Sequence, residues 1–211
     1  MPDFSIQAAL DRPAPGAAEL VLSGGVSTAG TLLLHDALQK AIDAGARILV
    51  VNLAAVPQMS SAPISALVAA SEQVRVLGGL VILAAVAPKL KIIFDALGLG
   101  DAFRLTASMD EGRAIATGHA AALAKAPYLA STTGPHVALL DAPVTIGTDA
   151  KCTIVLRHPQ VESKHAVVFR RGAEVVLRDL GSRYGTFVAG KRIREQVLAP
   201  GTPFTIATST W

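Results

Sequence analysis

Two nearly continuous apolar runs, at 47–53 and 80–86, constrain the fold of this chain more than any other feature. Such runs are typical of the central strands of a parallel sheet, because those strands are covered on both faces. Each run is followed by a stretch with helical spacing of its apolar residues, at 64–77 and at 90–97. The first half is therefore predicted to be an α/β fold, a mixed sheet with packed helices.

The elements around these runs complete the first half. Residues 4–10 and 19–23 are predicted strands, and Thr31 is predicted to cap a helix that ends at Gly45. A short strand is expected at 103–106. A capping box, Ser-x-x-Glu, begins a last helix at Ser108.

The pattern changes after residue 136. Short strands separated by turns are predicted from there to the end, which indicates an antiparallel β-sandwich. They lie at 137–140, 144–147, 153–156, 166–170, 174–178, 186–188 and 204–207. We therefore predict one domain at 1–123, a linker at 124–136 rich in Pro, Ser and Thr, and a second domain at 137–211.

Composition restricts the function classes. The chain is 51% hydrophobic and 17% charged, its net charge is only +3, and 4% of its residues are aromatic, which argues against nucleic-acid binding. Cys152 is the only cysteine, and the histidines show no ligand spacing, so we expect no metal and no cofactor. No catalytic constellation can be assembled, so no enzyme is expected. The uncharged stretch 48–71 is interrupted by Pro57 and Pro63. We therefore expect a cytoplasmic protein without membrane insertion.

Residues 179–193 carry the most specific motif. They read DLGSRYGTFVAGKRI and follow His165. This resembles the forkhead-associated (FHA) family, whose pattern there is D-x-G-S-x-N-G-T-F-x-N-G and whose members read phosphothreonine. The resemblance implies that His165 braces loops and that Gly185 and Thr186 form a tight turn.

In the FHA family, an Arg after a strand-ending Gly, a Ser three residues before the His and the Asn before Gly-Thr bind the phosphopeptide. Here Thr148, Glu162 and Tyr184 stand at those places, and Ala189 stands at the second Asn. A phosphate dianion is held by Arg or Lys. Thr148 offers only a neutral hydroxyl, and Glu162 repels a dianion. The resemblance thus predicts a degenerate phosphopeptide site.

We expect the loop face of the second domain to dock a protein rather than a phosphate group. It comprises Thr148, Glu162, Ser163, Lys164, Ser182, Arg183 and Tyr184. An alternative stays open, since Lys151, Arg157, Lys164 and Arg183 could rebuild an anion site. The FHA pattern also continues through another strand after 204–207. We therefore expect either a shortened protein with a sheet edge open to pairing or a cut sequence.

The first half resembles the STAS domain, named from sulfate transporters and anti-sigma-factor antagonists. Residues 51–67 read VNLAAVPQMSSAPISAL against the family pattern D-L-S-x-V-x-x-I-D-S-x-G-L. Ser61 falls on the serine that a kinase partner phosphorylates in that family, whereas Ser60 replaces the acidic neighbour and Pro63 replaces Gly. The docking face implied by the resemblance is Met59, Ser60, Ser61, Pro63 and Ile64.

Two interpretations of Ser61 remain open. At a helix N-terminus a phosphoserine is tolerated, and its added charge would eject a partner. Alternatively, the hydroxyl of Ser61 simply caps the helix. Met59 also has two interpretations: a side chain of the core, or a contact for the partner.

The combined prediction is a non-catalytic adaptor or regulatory subunit that docks protein partners through both domains and tethers a larger assembly. Two alternatives come from the STAS resemblance. One is a partner-switching antagonist phosphorylated at Ser61 by a kinase-like anti-sigma factor. The other is an accessory subunit on the ATPase of an ABC-type transporter.

Overall fold

The computed structural model describes residues 4–10, 12–131, 136–140 and 142–211. The chain divides into two compact units, Met1–Ala124 and Lys125–Trp211. Among the described residues, no helix is both long and apolar enough to cross a membrane.

The first unit is built on a mixed sheet. Its strands are β1 (Ser5–Leu10), β2 (Ala17–Ser23), β3 (Ile48–Ala55), β4 (Leu80–Ala84) and β5 (Arg104–Leu105). They lie in the order β1-β2-β3-β4-β5, with β1 antiparallel to β2 and the others parallel. The predicted central strands β3 and β4 are thus confirmed.

Helices cover both faces of this sheet. They are α1 (Thr31–Asp43), α2 (Ser61–Val76), α3 (Pro88–Ala96) and α4 (Met109–Lys125). The first three pack with Leu49, Val51 and Leu53 of β3 on one face. On the other face, Ala116 of α4 packs against Ile48 and neighbouring strand residues. The alternation along β3 explains its continuous apolar run, because odd and even residues enter different cores.

A partly buried ion pair holds α4 to the sheet. Arg113 Nε donates to Glu19 Oε2 at 3.0 Å, and Arg113 Nη2 donates to Glu19 Oε1 at 2.8 Å. The Glu19 side chain is only 11% exposed, so this bidentate contact compensates the cost of burying its charge.

Two expectations about the helices need correction. Thr31 is the first residue of α1 rather than its cap, which is Gly30, and Thr31 Oγ1 instead donates to the Ser27 carbonyl at 3.3 Å. The apolar stripe predicted for α3 is only partly buried. Leu97, just beyond the helix, is 57% exposed, whereas Phe94 is fully buried.

The second unit is a β-sandwich. Its strands are β6 (Tyr128–Leu129), β7 (Val137–Ala138), β8 (Val144–Gly147), β9 (Ile154–Val155), β10 (Ala166–Arg171), β11 (Glu174–Asp179), β12 (Thr186–Val188), β13 (Lys191–Ile193), β14 (Glu195–Leu198), β15 (Phe204–Ile206) and β16 (Ser209–Thr210). One sheet has the order β14-β11-β10-β8-β9 and the other β13-β12-β15-β16. Ile146, Val168 and Leu177 of the first sheet meet Phe204 and Ile206 of the second in a shared core. The predicted sandwich is confirmed.

The structure adds strands that the sequence pattern did not show. Strands β13 and β14 are short and mostly exposed, so they lack an apolar alternation. Strand β6 lies inside the stretch 124–136 that was predicted to be a linker, and it pairs with β7. Part of that stretch is therefore built into the second unit, while residues 132–135 lie outside the described part of the chain.

The expectation of an open edge at 204–207 is wrong. Strand β16 pairs with β15, and the backbones of Phe204 and Trp211 exchange hydrogen bonds of 3.1 and 3.0 Å. A short hairpin therefore covers that edge.

Candidate functional site

Three loops of the second unit converge on His165. Its side chain is fully buried. Nδ1 accepts the Glu162 N–H at 3.2 Å, and Nε2 lies 3.2 Å from the Gly185 carbonyl. Since Nδ1 is an acceptor, the proton sits on Nε2, which donates to Gly185. His165 thereby joins the loop before β10 to the loop before β12.

Backbone hydrogen bonds bring the third loop to the same place. The Thr148 N–H donates to the Glu162 carbonyl at 2.9 Å, and the Asp149 N–H donates to the Ser163 carbonyl at 3.1 Å. Gly147 lies so close to this loop that a Cβ there would stand 2.1 Å from the Ser163 oxygen. The loops that carry Thr148, Glu162 and Tyr184 are therefore joined to one another, and these three positions are together called the rim.

Asp179 fixes the loop that carries Tyr184. Its carboxylate accepts hydrogen bonds from the Gly181 N–H (2.9 Å), the Ser182 N–H (2.8 Å), the Ser182 hydroxyl (2.6 Å) and the Thr186 hydroxyl (2.7 Å). Burial alone raises the pKa of Asp179, but the hydrogen bonds from Ser182, Thr186 and the backbone outweigh it and hold the pKa below its usual value.

Arg192 supports the same loop from β13. Its Nη2 donates to the Ser182 carbonyl at 2.7 Å and to the Arg183 carbonyl at 3.3 Å. A Cβ at Gly185 would approach Arg192 Nε to 2.6 Å, so only glycine leaves room for this guanidinium. Asp179 and Arg192 were not among the predicted site residues. The motif that begins at Asp179 was a signal for the first, and nothing in the sequence pattern marked the second.

The rim residues themselves face solvent. Thr148, Glu162 and Tyr184 are exposed, as are Ser163 and Lys164. Within the described residues, the side chains of Thr148, Glu162 and Tyr184 make no hydrogen bond or ion pair. Their chemistry is thus directed outward rather than used by the fold.

Ser182 requires a correction. It was expected on the docking face, but it is 4% exposed, and its hydroxyl is consumed by Asp179 and by the Gly185 N–H at 2.9 Å. A side chain with both its donor and its acceptor used inside the loop is structural.

An aromatic and a cation stand together on the rim. The Arg183 Cζ lies 5.6 Å from the centre of the Tyr184 ring, and Tyr184 is 43% exposed. Leu180, which the sequence analysis missed, is 45% exposed nearby in the same loop. Tyr and Arg are the residue types that most often dominate protein interfaces.

Four cations lie on the loops of this domain. Lys151, Arg157, Lys164 and Arg183 are exposed, and in the described part of the chain none of them forms a salt bridge. Glu162 carries the opposite charge in the same loop as Arg157 and Lys164. Their presence keeps the rebuilt anion site open as an alternative.

The candidate site of the first unit is the loop before α2. The N-cap of α2 is Ser60, which is extended there, and Ser61 is the first helical residue and exposed. The interpretation of Ser61 as the cap is therefore wrong. The Ser60 N–H donates to the Val26 carbonyl at 3.0 Å, which ties this loop to the one before α1.

Most of the docking face predicted around Ser61 is buried. Met59 is 8% exposed, Ile64 is 5% exposed, and Pro63 is buried in the first turn of α2. These side chains belong to the core and do not form a surface. Ser60 and Ser61 alone of the five predicted residues reach solvent.

Comparison with known proteins agrees with this geometry. Residues 13–112 match the model of the STAS domain, and residues 144–207 match the model of the FHA domain. The chain carries a STAS domain followed by an FHA domain. That pairing indicates a protein-interaction or regulatory role.

Individual relatives cover parts of the chain. The FHA domain-containing protein FhaB of Mycobacterium tuberculosis is 36% identical over 75 residues, which is 35% of this chain and 48% of FhaB. The chain thus spans about half the length of the curated relatives it matches.

Solved structures resemble each half. A structure described under phosphothreonine-dependent FHA domain interactions is 25% identical and covers 37% of this chain and 82% of its own, with a TM-score of 0.35. An anti-sigma factor antagonist from Mycobacterium paratuberculosis is 22% identical and covers 55% of this chain and 96% of its own, with a TM-score of 0.46.

Proposed function

We propose that the protein is a non-catalytic adaptor whose FHA domain docks a protein partner without reading phosphothreonine. The observation that carries this is the rim of Thr148, Glu162 and Tyr184. Their loops are held together around His165, yet the exposed side chains lack any group that clamps a dianion.

Electrostatics support the loss of phosphate binding. A carboxylate about 4 Å from one unit of negative charge costs about 1 kcal/mol in water and about 4 kcal/mol at an effective dielectric of 20. For a dianion these costs double. At the rim, Glu162 stands where the family has a serine, so its charge opposes a phosphothreonine.

The same rim favours a protein surface. Tyr184, Arg183 and Leu180 form an exposed group of an aromatic, a cation and an aliphatic side chain on a loop that Asp179 and Arg192 hold rigid. A rigid loop loses little entropy on binding.

The test is a gain of function. Calorimetric titration of a phosphothreonine peptide library should show no binding to the natural chain. The triple variant Thr148→Arg, Glu162→Ser and Tyr184→Asn should bind, because the scaffold that orients these positions is intact. A variant with Thr205→Arg, on strand β15, controls for the added arginine. Micromolar binding by the natural chain would mean that the surrounding cations have rebuilt an anion site and would overturn the proposal.

Docking itself is tested with the native host. Partners that co-purify with the natural chain should be lost on Tyr184→Ala and Arg183→Ala and kept on Arg171→Ala, an exposed arginine elsewhere in the domain. Equal recovery in all three would show that this rim is not the docking surface.

A second candidate function concerns the STAS domain. Ser61 is exposed as the first residue of the sixteen-residue helix α2, where free backbone N–H groups and the helix dipole favour a phosphate. This supports a partner-switching antagonist controlled by phosphorylation at Ser61. The intact mass of protein from its host, before and after phosphatase treatment, should reveal one phosphate that Ser61→Ala removes. An unmodified mass under all growth conditions would count against it.

A further inference from the structure

Strand β1 is an unprotected edge of the STAS sheet. In the sheet order β1-β2-β3-β4-β5 it has a neighbour on one side only among the described residues. It is six residues long, pairs with β2 without a register shift, and contains no charged residue and no proline. Proteins usually blunt such edges with Lys, Pro or a bulge, because an open edge is a template for another strand.

An apolar groove lies beside this edge. It is formed between β1 and α1, with a volume of about 420 Å³. Its apolar lining includes Ile6, Leu10 and Leu33, and Leu10 and Leu33 are 51% and 57% exposed. The groove therefore offers main-chain hydrogen bonds and apolar surface at one place.

The charges of the groove are balanced. Asp36 and Lys40, one turn apart on α1, line it and form an ion pair of 2.8 Å. A strongly acidic or strongly basic partner gains nothing from this pair. A second copy of the same surface meets no net repulsion there.

We propose that two copies of this chain associate through antiparallel pairing of their β1 strands, which makes one continuous sheet. This goes beyond docking of other proteins by the FHA rim. A two-fold axis perpendicular to the sheet keeps every residue on its own face, so paired positions are both even or both odd.

The proposed two-fold axis passes between Ala8 and Ala8 of the partner subunit. In that register Ile6 pairs with Leu10 of the partner subunit, and Ala8 faces Ala8 of the partner subunit. These side chains lie on the α1 side of the sheet, where Ile6, Ala8 and Leu10 line the groove. A register centred on Gln7 would instead place Leu10 opposite Phe4 of the partner subunit, which lies outside β1. In this register the apolar side chains of Ile6, Ala8 and Leu10 are opposed only by apolar side chains of the partner subunit.

The first test is the mass of the chain in solution, by light scattering over a roughly hundredfold range of concentration. The natural chain should be a dimer that dissociates on dilution. Ala8→Lys should be monomeric throughout, since it places two ammonium groups across the axis. Ala122→Lys, at an exposed site of α4, should remain dimeric. A natural chain that is monomeric at every concentration overturns the proposal, as does a dimer that survives Ala8→Lys.

The second test keeps the proposal refutable if Ala8→Lys fails to fold. Directly opposed residues of antiparallel strands have Cα atoms about 4.5–5.5 Å apart, within disulfide range. Ala8→Cys should therefore form an intermolecular disulfide with oxidised glutathione as the oxidant. Gln7→Cys should not, because in this register Gln7 is opposed by Ala9 of the partner subunit rather than by a second Gln7, and the natural Cys152 is buried. Equal cross-linking at both positions, or none, would exclude this register.

Discussion

Replacing Asp179 by asparagine is the sharpest test of what holds the FHA rim together. The carboxylate accepts four hydrogen bonds of 2.6 to 2.9 Å, and its side chain is 7% exposed. A net contribution of about 1.5–3 kcal/mol is typical of a hydrogen bond to a charged group, against about 0.5–1.5 kcal/mol for a neutral one.

The hydrogen-bonding groups of the asparagine side chain determine how much unfolding free energy is lost in Asp179→Asn. Asparagine keeps one acceptor oxygen, so the N–H groups of Gly181 and Ser182 retain a neutral partner. Its NH₂ group replaces the oxygen that accepts hydrogen bonds from the hydroxyls of Ser182 and Thr186, so both of these bonds are lost. The Ser182 hydroxyl oxygen already accepts the Gly185 N–H. Losing about 1 kcal/mol per bond, with incomplete additivity, gives a destabilisation of about 3 kcal/mol.

Trp211 makes the assay specific for this domain. It is the only tryptophan of the chain and packs against the second core, so its fluorescence follows unfolding of the FHA unit. With a denaturant slope of about 2 kcal/mol per molar urea, the midpoint should fall by about 1.5 M in Asp179→Asn. Asp149→Asn is the matched control, because Asp149 accepts a single backbone N–H that an amide oxygen also accepts. Equal midpoints for the two variants would refute the reasoning.

The pH dependence gives an independent check. The folded-state pKa of Asp179 lies below its unfolded value of about 3.9, so its contribution is fully present above that value and is lost as pH falls through the folded pKa. The difference in unfolding free energy between the natural chain and Asp179→Asn should be constant at neutral pH and shrink in acid. A difference that stays unchanged down to the acid limit would mean that another group carries the effect.

Three further substitutions test local features. Ala189 has a φ of +48° in the two-residue turn between β12 and β13, a conformation that asparagine adopts more readily than alanine. Ala189→Asn should therefore stabilise the FHA unit by about 0.5–1 kcal/mol in the Trp211 assay. A lower unfolding midpoint would contradict this. Glu19→Gln should destabilise the STAS unit by about 1 kcal/mol or less, because Arg113 is 47% exposed and keeps Asp110 at 3.9 Å. The helical circular dichroism signal measures this, and an unchanged curve would show that the pair is neutral. Gly147→Ala should unfold or strongly destabilise the FHA unit, because the new Cβ would stand 2.1 Å from the Ser163 carbonyl oxygen. Native-like Trp211 fluorescence in this variant would show that the loop can move.

The sequence predicted those parts of the fold whose signals are local. The runs at 47–53 and 80–86 fixed the central strands because both faces are buried, and the capping box at Ser108 marked the start of α4, where the Glu111 N–H donates to Ser108 Oγ at 3.2 Å. Strands β13 and β14 were not predicted, because pairing with neighbouring strands holds them in place and they have no alternating apolar pattern.

The sequence pattern assigned the candidate residues to loops and helix starts, but it could not predict which of their side chains are buried. A motif places Ser182 and Ile64 in loops and helix starts, yet whether a side chain points in or out depends on what packs against it. Ser182 turned inward to Asp179, and Ile64 entered the core of the STAS domain. Arg192 could not be found at all, since its role depends on the pairing of β13 with β12.

The division between buried frame and exposed rim accounts for the proposed loss of phosphothreonine reading by an FHA domain that keeps its fold. Asp179 and His165 bind several backbone and hydroxyl groups in the interior, so replacing either one leaves buried partners unsatisfied. The side chains of Thr148, Glu162 and Tyr184 contribute no hydrogen bond to the described fold, so their substitution changes recognition at little cost in stability. The triple variant that restores Arg, Ser and Asn should therefore unfold within about 1 kcal/mol of the natural chain. A much larger loss would show that Glu162 or Tyr184 has become part of the frame, and the rim could then no longer be treated as a free docking surface.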